Sequence, residues 1–347
     1  MPLPPLIGHE RVKTKLAGAR ASGKLPQALL LAGPRGVGKQ RLALWLAQLI
    51  HCEAPGQEPC GQCRSCRLVV SLQHPDVHWF VPVELSKRGG TATGDAEKQV
   101  ELVADALAEE MAARRQQPLY GPPAGLASHP VASVRLLLKR LALTPAMGKR
   151  KVFIVGDAER LIPQVGTEVA ANALLKALEE PPADSVIIVT AADPNALLPT
   201  VMSRVVLVRV ARIADSDVTA FAQQTLGLGS QVELAQRVAA AEGCIGKLFA
   251  TGSSRSGQVA EQVGRFLEAP WLFALGQVPF QARGGFTDML DALATRLRSE
   301  AKRGGDTDKL VEAIALVLDA RDLAQGNVNP QLLAAVLAED LQAMRGS

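Results

Sequence analysis

Residues Gly33-Pro34-Arg35-Gly36-Val37-Gly38-Lys39-Gln40 constrain this chain more than any other stretch. They follow the apolar run Ala28 to Ala32, which reads as a buried parallel strand. They precede a helical run from Arg41 to Ile50 with Leu42, Trp45, Leu46 and Leu49 on one face. Strand, glycine-rich loop and helix are the setting that a phosphate-binding loop requires. Glycines let the backbone curl until its N–H groups and the helix N-terminus face phosphate oxygens. Lys39 stands where the phosphate-binding lysine belongs. The next position calls for a Ser or Thr hydroxyl on Mg²⁺ and holds Gln40, whose amide is a poor substitute in an octahedral oxygen site. The candidate nucleotide residues are therefore Gly33, Gly36, Gly38, Lys39 and Gln40, in a loop of the right shape that lacks part of its chemistry.

The partner of such a loop is an Asp-Glu pair at the end of a neighbouring strand, which holds Mg²⁺ and orients the attacking water. The strand Val152 to Val155 is followed by Gly156-Asp157-Ala158-Glu159. In one register Gly156 replaces the Asp, and in the other Ala158 replaces the Glu. With two defects in one site, hydrolysis is not expected, while nucleotide binding through Lys39 and the loop amides stays open.

Four of the five cysteines lie at Cys52, Cys60, Cys63 and Cys66. Four thiolates at this spacing suit a closed tetrahedral zinc site. An iron–sulfur cluster is the competing reading, because Cys-x2-Cys-x2-Cys also begins a ferredoxin run; there, however, the fourth ligand lies nearby downstream and is followed by Pro. Cys244, alone in an apolar helix, reads as a small core residue.

The 347 residues allow two or three domains of about 100–200 residues each. Aromatic residues at 3% argue against a single-strand binder built on base stacking, and a net charge of +4 is far from the dense basic stripe of a dedicated nucleic-acid binder. No apolar run reaches about 18 residues and no signal peptide is read at the start, so no membrane span and a cytoplasmic location are expected. Strands at Val77–Val83, Val152–Val155, Val186–Thr190 and Val205–Val208 alternate with helices, which predicts a parallel sheet covered on both faces. An insert from about 84 to 130 carries an amphipathic helix, Asp95 to Arg115, and reads as surface decoration, with a partner-docking helix as the alternative. Lys139-Arg140 and Lys149-Arg150-Lys151 read as solvated charge, with contacts to DNA phosphates as the alternative. Beyond about residue 211 only helical runs follow, and Thr251-Gly252-Ser253-Ser254 reads as a divider.

Asn172-Ala173-Leu174-Leu175-Lys176-Ala177-Leu178-Glu179-Glu180-Pro181-Pro182, followed by Ser203-Arg204-Val205, resembles the AAA+ subunits of bacterial clamp loaders. Ile7-Gly8-His9, Leu25-Pro26-Gln27-Ala28, His74-Pro75-Asp76 and Asn327-Val328-Asn329-Pro330 support the likeness along nearly the whole chain. The resemblance implies an α/β AAA+ P-loop domain with a parallel sheet over 1–210, a helical lid over 211–253, and an all-α collar domain over 254–347. It implies a subunit of the ring without a working ATPase. Its partners would be ATPase (gamma/tau-type) and delta-type subunits in a hetero-pentamer of the replicative DNA polymerase, with the sliding clamp and primed DNA reached through the complex. It implies structural Zn²⁺ at the four cysteines and an arginine finger at Arg204, supplied in trans. The family's Ser-Arg-Cys has Val205 in place of Cys. The nucleotide-sensing arginine of active relatives would fall near Gly243-Cys244-Ile245-Gly246-Lys247, and no arginine is there. The competing classes are a stand-alone P-loop ATPase and a zinc-dependent DNA-binding module.

Overall fold

The computed structural model describes residues 3–85, 95–120, 127–161, 168–226, 231–250, 254–275, 283–304, 306–324 and 329–346. It divides into a unit comprising Met1–Pro123 and Ala127–Ala250, and a second built on Thr251–Ser347. The first holds a five-stranded sheet of β1 (Ala28–Ala32), β2 (Val77–Phe80), β3 (Lys151–Val155), β4 (Ser185–Ala191) and β5 (Val206–Arg209). The order across the sheet is β2-β3-β4-β1-β5, and all pairs are parallel. Every residue of β1, β3 and β4 is buried, whereas β5 at one edge leaves Val206 exposed. This burial explains why the three inner strands read as continuous apolar runs rather than alternating ones.

Helices α1 (Glu10–Ala21), α2 (Lys39–His51), α3 (Arg64–Val70), α4 (Ala96–Gln116), α5 (Val131–Leu141), α6 (Val169–Glu179) and the short α7 (Pro199–Met202) connect these strands. α2 buries Leu42, Trp45, Leu46 and Leu49 as its periodicity predicts, and also Ala43, Leu44 and Ala47. The insert departs from the expectation of surface decoration. Val100, Val103, Ala106 and Leu107 of α4 belong to the same core as the sheet. Its buried Arg114 guanidinium lies 4.4 Å from the Trp79 ring centroid and 4.0 Å from that of Tyr120. Paired hydrogen bonds between Val83 and Ser128 close the insert's base. The loop expected at Ser86–Gly94 and the start of the helix expected from Val165 lie outside the described residues.

Lys151 also departs from its reading as solvated charge. It is buried, and its ammonium donates to the carbonyls of Leu141 at 2.6 Å and of Leu143. The last carbonyls of a helix lack intrahelical partners and carry partial negative charge, so a lysine at the start of β3 serves as a cap for α5.

After the sheet, α8 (Asp215–Leu226), α9 (Gln231–Ala241) and α10 (Lys247–Ala250) gather around Val218, Phe221, Leu234 and Val238. The described elements of the second unit are all helices: α11 (Ser254–Glu268), α12 (Pro270–Leu275), α13 (Arg283–Lys302), α14 (Thr307–Ala324) and α15 (Pro330–Gly346). Phe266, Phe286, Met289, Leu290, Leu293 and Val317 form its core. α12 has no counterpart in the sequence reading, because six residues give too short a window for periodicity.

Candidate nucleotide and metal sites

The loop from Gly33 to Gln40 leaves the C-terminal end of β1, where an open parallel sheet presents its ligand crevice. Gly36 and Gly38 take φ of +77° and +104°, values that a side chain would strain. The buried Lys39 ammonium donates to the carbonyls of Gly33 at 2.8 Å and Pro34 at 3.0 Å, so it is held by the loop's own backbone. Burial lowers its pKa, against the pull of Glu159 and Asp157. The turn before α10 lies backbone to backbone against the loop. Gly246 N–H donates to Gly36 O at 2.8 Å, and a Cβ on Gly246 would fall 2.6 Å from Gly36 Cα. In the sequence this stretch was informative only for its missing arginine, and its glycine at 246 is the signal that could have revealed the contact.

Gln40 and Gly156 meet. A Cβ built on Gly156 would stand 2.9 Å from Gln40 Nε2 and 3.2 Å from Gln40 Oε1. The amide thus occupies the space beside the position where an Asp would begin, and Gln40 Oε1 is buried with no hydrogen-bond partner. The two departures from the motif thus meet in one place. Asp157 and Glu159 both lie near enough to Lys39 to favour its charged form. Asp157 has φ +50° and its N–H donates to Thr190 Oγ1. Glu159 accepts from Ala192 N–H at 3.3 and 3.4 Å, and burial followed by the Asp157 charge raises its pKa. The expected consequence is coupling. Gly156→Asp crowds Gln40 and destabilises by about 1–3 kcal/mol. Adding Gln40→Thr recovers about 1 kcal/mol or more of that loss. Urea unfolding of the two single variants and the double variant measures the coupling, and strict additivity would refute the contact.

The Gly156 carbonyl is held by the buried His129, whose Nε2 lies 2.7 Å away and donates when it carries the ring proton. Burial pushes this imidazole from 6.5 down to about 4. The folded state keeps it neutral while the unfolded state protonates it, so stability is complete above about pH 6.5 and falls as pH drops towards 4. At pH 5 this one group costs about 2 kcal/mol. Urea unfolding at pH 7 and pH 5 should show that much less pH-dependent loss in His129→Gln; an equal loss would show that His129 does not contribute.

Cys52, Cys60, Cys63 and Cys66 converge, with sulfurs all within 4.8 Å of one another. Cys52 ends α2, Cys63 caps α3, and Cys66 is buried within α3. The N–H groups of Cys60, Cys63 and Cys66 each donate to a preceding cysteine sulfur at 3.3 Å. Cys60 and Cys66 sulfurs are 3.9 Å apart, close to the edge of about 3.8 Å of a tetrahedron with metal–sulfur bonds of about 2.3 Å. Backbone N–H groups of Cys63 and Gln62 draw the exposed Cys60 thiol down to about 6, whereas burial pushes Cys66 far up. A buried thiolate at Cys66 thus calls for a cation beside it, and the donor set fits a metal. Glu58, in the same loop, accepts from Trp45 Nε1 at 2.5 Å and pairs with the buried Lys13 at 2.9 Å, tying the knuckle to α2 and α1.

A second cluster, His51, His74 and Asp76, also brings its ligand atoms within 4.8 Å. Its chemistry is that of a capped turn. Asp76 accepts from the N–H groups of Ala146, Met147 and Gly148, and Asp76 N–H donates to His74 Nδ1 at 3.1 Å.

Arg204 lies at the other end of the sheet. β1 and β5 run parallel with Leu29 beside Val206 and Ala32 beside Arg209, so Arg204 precedes the strand whose far end borders the P-loop. About five residues at roughly 3.3 Å each separate the two edges. Its Nη2 pairs with Glu179 at 2.8 Å, and its Nη1 donates to Thr200 O and to Ser203 Oγ.

The family described as DNA polymerase III, delta subunit, matches residues 8–214, a span that contains the P-loop, the four cysteines and Arg204. A DNA polymerase III subunit delta′ of Pseudomonas aeruginosa is 34% identical over 181 residues, covering 52% of this chain and 41% of its own length. The Bacillus subtilis delta′ subunit is 31% identical over 194 residues, 56% of this chain and 45% of its own. A gamma/tau subunit of Mycobacterium tuberculosis is 32% identical over 200 residues, 57% of this chain and 27% of its own. The matched stretch thus spans less than half the length of each of these relatives. The chain belongs to the DNA polymerase III delta subunit family and is of the delta′ type.

Proposed function

We propose that this chain is a non-hydrolysing scaffold subunit of a bacterial clamp loader in the cytoplasm. In this reading residues 1–210 form the AAA+ domain, 211–253 the helical lid, and 254–347 the collar that joins gamma/tau-type and delta-type subunits in a pentameric ring. The ring uses ATP bound at other subunits to open a sliding clamp and place it on primed DNA. Arg204 supplies an arginine finger to a neighbour's site, and Cys52, Cys60, Cys63 and Cys66 hold a structural Zn²⁺.

The observation that carries the reading is the meeting of Gln40 and Gly156. It disfavours a stand-alone ATPase, because the ion and its acid would need the space that the amide fills. The burial of Cys52 and Cys66, and the anchoring of their loop through Glu58, support a structural rather than a DNA-reading role for the metal. Four cysteines leave no open coordination position for a catalytic water.

The deciding experiment mixes the full chain with clamp-loader subunits. A stoichiometric complex is expected. The isolated chain should hydrolyse ATP at background rate, and Lys39→Ala should leave clamp loading nearly unchanged. Failure to form a complex, or turnover by the isolated chain, would overturn the proposal.

A further inference from the structure

A cavity of about 120 Å³ lies between α2, α3, β2 and the insert helix α4, wholly inside the first unit. Leu44, Val69, Val77, Ala104, Leu107 and Met111 make its walls apolar. The polar side chains on its wall are His74, His78, Trp79 and Arg140, and none of the lining residues is a carboxylate, hydroxyl or amide. Trp79 Nε1 and His74 Nε2 are both buried and have no hydrogen-bond partner. Because His74 Nδ1 accepts from Asp76 N–H, the neutral ring carries its proton on Nε2 and donates there. Tryptophan and arginine are donors only. Arg140 is half-buried, and among the described residues it makes no ion pair.

We propose that this cavity binds a small carboxylate with a compact apolar body. Two unsatisfied buried donors and a guanidinium without a carboxylate ask for an acceptor that carries negative charge. A phosphate would turn further charged oxygens against the apolar walls, where they lack partners. A cavity of about 150 Å³ accommodates benzene, so the occupant here is of that size or smaller. The insert gains a role by this reading, since α4 supplies one wall, including Ala104, Leu107 and Met111.

The test uses the full-length chain, with sodium butyrate as the probe and 1-butanol as its uncharged counterpart. Thermal unfolding and Trp fluorescence should both respond saturably to butyrate, and butanol should bind at least about tenfold more weakly. Arg140→Gln should weaken butyrate about ten- to hundredfold, and Ala104→Leu should abolish binding by filling the space. Trp79→Phe should remove the fluorescence response while Trp45 and Trp271 remain. If Ala104→Leu fails to fold, the partly exposed Arg140 decides the matter alone. No saturable response would mean that the donors are served by water. A response equal with butanol, or unaltered in Arg140→Gln, would overturn the assignment of a carboxylate.

Discussion

Rings reconstituted with Arg204→Ala should assemble normally and lose ATP turnover at the adjoining subunit by a factor on the order of 10³ or more, the range seen when trans arginine fingers are supplied to GTPases. The side chain suits the task. Its pair with Glu179 is partly exposed, with 34% of the Arg204 side chain accessible, and such a pair contributes only about 0–1 kcal/mol to stability. Loss of folding therefore cannot mimic loss of catalysis. Thr200 O, Ser203 Oγ and Glu179 use both Nη1 hydrogens and one on Nη2. Nε and the other Nη2 hydrogen remain as a fork for a phosphate oxygen. Arg204→Lys should rescue poorly, because a point charge lacks that fork. Glu179→Ala separates the two roles, since it removes the ion pair and leaves the guanidinium. DNA-stimulated ATPase and clamp loading are the readouts. Wild-type rates in assembled Arg204→Ala rings would sink the finger assignment.

Removal of the metal from the four-cysteine knuckle should bring the largest loss of stability. One zinc per chain and no visible absorption are expected. Structural zinc supplies about 10–16 kcal/mol to isolated zinc-finger peptides. Here a fraction of that should be lost, because the sheet core does not depend on the knuckle. The loss should be local and visible. When the loop leaves, Glu58 leaves with it, so Trp45 loses its hydrogen bond and the buried Lys13 retains only Glu10. Chelation, or Cys66→Ser, should therefore shift Trp45 emission and lower the unfolding midpoint of the first unit. The second unit, with a core of its own, should keep its midpoint. A brown, iron-containing protein, or metal content unaffected by Cys63→Ser, would count against zinc.

The parallel sheet and the P-loop were legible because burial on both faces writes itself as runs such as Leu29-Leu30-Leu31 and Ile187-Ile188-Val189. The cysteine cluster was legible because short spacers leave few places for the sulfurs to go. The burial of α4 was not, since an amphipathic helix looks alike whether it covers the core from within an insert or from the main fold. Lys151 was misread because its partners are carbonyls of α5, and backbone acceptors leave no trace in side-chain composition. The contacts of Gln40 with Gly156 and of Gly36 with Gly246 join residues 116 and 210 positions apart. Gln40 and Gly156 each read as a departure from a motif, and only the fold shows that these two departures fit each other.

That fit bears on history as well as on mechanism. If the site is silent as proposed, a lineage carrying Gln40 and Gly156 would regain hydrolysis only by changing both residues. Restoring the acid first crowds the amide, and restoring the hydroxyl first opens a gap beside a glycine; neither step alone rebuilds a metal-binding pair. Either route would meet a loss before any gain. On the proposed reading the two residues hold each other in place, and a site without hydrolysis persists by steric interlock.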